Sequence, residues 1–156
     1  MSSINLSSIT SPSGLTLKGG AISAPLNPGF KVTGAPGASN VSVSKDSPVI
    51  LPSLLYDRTN MYTLSNGKAT VTQPGFYLIN AILYLNTATS GSLLVNVNGT
   101  AVATIYQQNN TTDVSFKGST VIKCNATDVV TLVPSTSISV YVGDVITSQY
   151  SMTFLS

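Results

Sequence analysis

The chain has 156 residues, of which 42% are hydrophobic and only 8% charged, with a formal net charge of +2. That length supports one domain with its own core and not two. The charged fraction lies far below the roughly 25% of an ordinary soluble domain, and Ser, Thr and Asn fill the deficit.

The missing residue types exclude more than the length does. There is no His, no Trp and no Glu, and the acids are Asp46, Asp57, Asp113, Asp128 and Asp144. The usual general base near neutral pH is therefore absent, as is the commonest metal ligand. A zinc site has only Cys124 to draw on, and the scattered Asp residues form no paired-carboxylate motif. No catalytic residue, metal or cofactor is expected, and the chain does not read as an enzyme. Lys18, Lys31, Lys45, Arg58, Lys68, Lys117 and Lys123 are spread singly, whereas phosphate-backbone binding recruits clusters, so nucleic acid is not an expected partner. The longest apolar run is far short of the ~20 residues that span a bilayer, so no membrane partner is expected. Met1 to Leu6 show no basic region followed by an apolar one, so no signal peptide is read. A lone Cys excludes an intrachain disulfide, and Cys124 reads as a small buried hydrophobe. The sequons at Asn5, Asn40, Asn98, Asn109, Asn110 and Asn125 matter only in a secreted eukaryotic protein.

In chain order, residues 1–26 read as an extended arm, rich in Ser and Gly, with Pro12 and Pro25. Ile4, Leu6, Ile9, Leu15, Leu17 and Ile22 make it too apolar for a freely solvated tail. It either docks on another surface or packs on its own domain. Residues 27–156 then read as strand after strand: Phe30–Thr33, Val41–Val43, Pro48–Leu51 and Leu54–Asp57. Asn66-Gly67 signals a tight turn before the alternating run Lys68–Thr72. Pro74-Gly75 opens the strongest strand, Phe76–Leu85. Leu93–Val97, the turn Asn98-Gly99 and Ala101–Tyr106 predict a hairpin, and Val114–Lys123, Val129–Val133, Ile138–Val142 and Gln149–Leu155 complete the set. No segment sustains a helical period. About ten short strands at regular spacing predict an all-β, two-sheet antiparallel sandwich or jelly roll.

The strand from Phe76 to Leu85 carries Tyr77, Ile79, Ala81, Leu83 and Leu85 on one face and Phe76, Leu78, Asn80, Ile82 and Tyr84 on the other. A strand at the surface of a sandwich needs only one apolar face. Self-association would cover the second, since an uncovered apolar sheet invites aggregation. The candidate contact residues are Phe76, Leu78, Ile82 and Tyr84, with Phe116, Tyr150, Met152 and Phe154 on neighbouring strands.

Several segments, in order, resemble the complement globular-head and tumour-necrosis-factor jelly-roll family. Asn27-Pro-Gly-Phe-Lys-Val32 resembles its first strand. Leu55-Tyr-Asp57 with Met61-Tyr62 is similar to the segment before its second long strand. Gly67-Lys-Ala-Thr-Val-Thr-Gln-Pro-Gly-Phe-Tyr77 matches a strand, then Pro-Gly, then an aromatic pair opening the central strand. Leu94-Val-Asn-Val-Asn98 and Ser148-Gln-Tyr-Ser-Met-Thr-Phe-Leu155 resemble the following and closing strands. The similarity spans residues 27–156. It implies a ten-strand jelly roll that trimerises about a threefold axis through the sheet holding the Pro-Gly-aromatic strand and the last strand. Secreted animal members carry a signal peptide and usually a collagen-like stalk, and neither is read in this sequence. The clustered carboxylates of some calcium-binding members have no match here either.

The expected function is a trimeric structural protein on the virion surface, a capsid decoration protein or short head fibre of a tailed bacteriophage, assembled in the host cytoplasm. Residues 1–26 would dock on the capsid or another virion protein. A second reading is a receptor-binding tail-fibre tip recognising a host glycan or surface protein, with Gln107–Asp113 offering hydrogen bonds. A third is a spore- or cell-surface trimer.

Overall fold

The computed structural model describes residues 16–18, 21–23, 27–87, 89–108 and 114–156. Ahead of the head, β1 (Thr16–Lys18) pairs antiparallel with β2 (Ala21–Ser23), Leu17 opposite Ile22. The head begins with β3 (Gly29–Thr33), β4 (Val41–Val43), β5 (Ser53–Asp57) and the two-residue β6 (Tyr62–Thr63). The run Pro48–Leu51, expected as a strand, is not one. Pro48 and Pro52 at its borders have no N–H to offer a ladder, and only the Val49 amide bonds across, to the Leu132 carbonyl at 2.8 Å. Val49 and Leu51 are nevertheless fully buried, so the segment packs as a core-lining loop.

Next come β7 (Lys68–Thr70), the long β8 (Gly75–Tyr84), β9 (Gly91–Val97) and β10 (Thr100–Gln108). The two expected tight turns are present. Gly67 lies at φ +67° between β6 and β7, and Asn98 and Gly99 at +52° and +82° between β9 and β10. Successive positive φ values are what the right-handed twist of a two-residue hairpin requires. The chain finishes with β11 (Ser115–Cys124), β12 (Val129–Pro134), β13 (Ile138–Val140) and β14 (Gln149–Phe154).

Ten of these strands form two five-stranded antiparallel sheets, ordered β11-β8-β14-β3-β5 and β10-β9-β12-β7-β6, and β13 pairs with β4 as a small third sheet. Alternation along each strand sends one set of side chains between the two large sheets. Tyr77, Ile79, Ala81 and Leu83 come from β8, and Leu93, Val95, Val130 and Leu132 from the facing sheet; all are buried. Beside them Phe30 stacks on Tyr62 at 4.3 Å between ring centroids and meets Tyr150 edge-on at 5.1 Å. The Asp57 carboxylate fixes the β5–β6 connection by accepting from the backbone N–H groups of Met61 at 3.0 Å and Tyr62 at 2.8 Å.

Strand direction gives the head two distinct ends. The Phe76 amide donates to the Ser156 carbonyl and the Phe154 amide to the Pro28 carbonyl, so both borders of the head meet at one end. The loop from Tyr141 to Ser148 lies at the other, where the Tyr141 amide donates to the Tyr84 carbonyl.

Candidate interaction face

The outward side of the β11-β8-β14-β3-β5 sheet carries the candidate site. On β8 the buried residues are Tyr77, Ile79, Ala81 and Leu83, so Phe76, Leu78, Asn80, Ile82 and Tyr84 point away from the core. Phe76 is 45% exposed, Leu78 37% and Tyr84 44%, while Ile82 is half-buried. Register extends the patch sideways. Leu78 lies between Val121 of β11, 51% exposed, and Thr153 of β14. The next row is polar: Asn80 sits between Ser119 and Ser151, and Ser151 is opposite Lys31. Ile82 sits between Lys117 and Gln149, and Phe76 opposite Lys123. The face is thus apolar toward both ends, crossed by a hydroxyl and amide row, with Lys117 and Lys123 along the β11 edge.

Four sequence-proposed contact residues lie on this face: Phe76, Leu78, Ile82 and Tyr84. Three others do not. Phe116, Tyr150 and Met152 are fully buried in the chain's own core. Their register partners on β8 are Leu83, Ala81 and Ile79, all inward-facing, and antiparallel partners share a face. Phe116 packs on Tyr106 at 5.0 Å instead. Phe154 also has inward parity, opposite Tyr77, and covers that ring at 5.3 Å as a half-buried lid on the core. In their place the sheet presents Val121, whose signal was the alternation of β11 itself: Lys117, Ser119, Val121 and Lys123 outward, Phe116, Ile122 and Cys124 inward. Of the arm residues, Ile4, Leu6, Ile9 and Leu15 lie outside the described residues, and Leu17 and Ile22 are partners across β1 and β2. Asn109 to Asp113 also lie outside them.

Among the described residues no three His, Cys, Asp or Glu side chains gather as a metal site. The titratable groups with shifted pKa values mostly sit inside. Burial pushes the Cys124 thiol up to about 11, with Asp128 adding to it. Burial pushes the Tyr62 hydroxyl up to about 12 and raises Tyr150 as well. Neither phenol oxygen has a hydrogen-bond partner. On the surface, hydrogen bonds from the Asn125 amide and the Asn98 side chain hold the Asp128 carboxyl below its ordinary value. The face can associate with another surface and shows no grouping for bond-making chemistry.

No protein-family model matches the chain, and no curated protein matches it in sequence. Solved structures do match in fold. The globular domain of zebrafish complement 1qA protein superposes with a TM-score of 0.63 at 18% identity, covering 82% of this chain and 96% of that one. Murine APRIL gives 0.62 at 12% identity, covering 83% and 100%. The Eiger TNF of S. frugiperda gives 0.59 at 16% identity, covering 83% and 93%. The chain therefore has the jelly-roll fold of complement globular heads and tumour-necrosis-factor proteins.

Proposed function

We propose that the chain is a homotrimeric structural protein of a virion surface, a capsid decoration protein or short head fibre, whose heads pack through the outward face of the β11-β8-β14-β3-β5 sheet and whose residues 1–26 anchor it. The observation that carries the assembly is the row Phe76, Leu78 and Val121 with Tyr84 beyond it, large apolar side chains left in water on a central and an edge strand. Large apolar side chains grouped on one sheet face, even with a polar row between them, support an association surface. The sheet is the one through which the sequence resemblance implies threefold contact. The charge-poor, hydroxyl-rich composition and the apolar arm support the particle setting.

The test is the solution mass of the full chain and of residues 27–156, followed by cosedimentation of both with capsids. Trimers in both forms, with capsid binding lost on arm deletion, are expected. A monomeric full chain refutes the assembly, and undiminished capsid binding without the arm refutes the anchor. A second reading, a receptor-binding tip, draws on Tyr141, Val145 and Ile146, exposed in the loop opposite the head's borders. It predicts that Ile146→Ser abolishes attachment to the host while leaving the mass unchanged; attachment that survives the substitution refutes it.

A further inference from the structure

The second large sheet has a feature that self-association through the first does not use. Its outer surface holds a cavity of about 650 Å³, within the size range of small-ligand sites. Sheet register builds the floor. One row runs Ala101, Asn96, Thr131, Lys68 across four strands, and the next sets Leu94 beside Val133. The segment holding Asp46 and Pro48 forms one wall, pinned to β12 by the Asp46 amide on the Pro134 carbonyl at 2.9 Å. The Asn98-Gly99 turn forms another. That turn is rigid, because the Asn98 side chain donates to Asp128 at 2.8 Å and accepts from the Val129 amide at 2.9 Å.

The polar groups in the cavity differ from Asn98 in having little to bind. The Asn96 side-chain oxygen is buried at the cavity's margin with no hydrogen-bond partner, and a polar group left so calls for a partner, which a shift of the amide toward the cavity would give it. Among the described residues the one ion pair is Lys45 with Asp46 at 3.9 Å, so Lys68 has none. We infer that this cavity is a carbohydrate-binding site, sized for one or two sugar rings. A pyranose has an apolar C–H face, which fits the aliphatic floor of Leu94 and Val133, and a hydroxyl edge that donates and accepts. Asn96, Thr131, Lys68 and Asp46 supply both kinds of partner. A fatty chain would strand those polar groups without hydrogen bonds. A phosphate would face the Asp46 carboxylate with Lys68 as its one cation in the cavity. The site lies on the sheet facing away from the proposed contact, so each protomer of an assembly presents its own.

The test is saturation-transfer NMR on the full chain with the methyl glycosides of glucose, galactose, mannose and N-acetylglucosamine, and with inorganic phosphate as a control. At least one glycoside is expected to bind with a Kd in the millimolar range. Asn96→Ala should weaken it about tenfold, and Leu94→Trp, which fills the cavity, should abolish it, with the oligomeric mass of both variants unchanged. No saturation of any glycoside, or binding by phosphate alone, overturns the inference. So does a Kd unaltered by Asn96→Ala. If Leu94→Trp fails to fold, amide shift mapping decides: perturbations centred on Asn96, Thr131 and Val133 uphold the site, and perturbations confined elsewhere overturn it. Because oligomeric mass is read separately, failure here leaves the assembly reading intact.

Discussion

Leu78→Asp tests the contact face most directly. Phe76, Leu78, Tyr84 and Val121 are 45%, 37%, 44% and 51% exposed. With roughly 150–250 Å² for a whole aromatic side chain and somewhat less for an aliphatic one, they leave about 300 Å² of apolar surface per protomer in water. Covering it is worth about 7 kcal/mol per protomer at roughly 25 cal/mol per Å². Replacing Leu78 removes its share and sets a carboxylate against apolar neighbours, a loss of about 2–3 kcal/mol in each copy. In the proposed trimer the loss is repeated three times, so association weakens by roughly five decades. The isolated protomer loses little, because the side chain is not in the core and surface substitutions usually cost within about 0.5 kcal/mol. Light scattering on the size-exclusion peak at micromolar concentration should read a monomer, with a far-UV spectrum like that of the parent. A Leu78→Asp variant that keeps the trimer mass of its parent would show that this face is not the contact.

Four further outcomes follow from the core. A β-carbon at Gly118 would collide with the Ile105 carbonyl oxygen, backbone that has no rotamer to yield. Gly118→Ala should therefore cost about 3 kcal/mol and lower Tm by roughly 10 °C in a scanning-calorimetry run. Tyr150→Phe removes a buried hydroxyl with no partner and should raise stability by about 1 kcal/mol in urea unfolding. The same variant tests the alkaline limb. Folded Tyr62 titrates at about 12, and burial raises Tyr150 too, whereas unfolded tyrosine titrates near ~10. Stability is then full below ~10 and falls as pH rises through the folded values, less steeply in Tyr150→Phe. Cys124, buried and with a thiol pushed up to about 11, should resist a thiol-reactive disulfide reagent at pH 8 until guanidinium is added.

Period-two alternation made most of the sheet content legible, because side-chain direction in a strand is local. The double apolar face of Phe76 to Tyr84 was readable for that reason, and its two halves do part between core and solvent. The inward side of Tyr150 and Met152 follows from the same alternation. In Gln149–Phe154 the polar Gln149, Ser151 and Thr153 alternate with them, and that polar set faces outward. Phe116 follows the same parity: Lys117, Ser119, Val121 and Lys123 mark the outward face of β11, and Phe116, opposite Leu83, falls on the inward one. The cavity on the second sheet was not legible at all. Asn96, Thr131 and Lys68 become neighbours through pairings between β9, β12 and β7, and no local pattern encodes that register.

Both borders of the head close on each other through the Pro28, Phe76 and Ser156 backbone. In the proposed threefold assembly the three copies of Asn27, where residues 1–26 join the head, lie at a single pole, within a head-width of one another. On the proposal that residues 1–26 are the anchor, attachment becomes a three-legged event. Once one leg is seated, its two companions search a small tethered volume, at an effective concentration in the millimolar range. Each leg can grip weakly and release often while the whole stays put, and the dwell time depends on all three letting go together. Subunit mixing with legless copies should therefore shorten residence by large multiplicative steps, one for each leg removed.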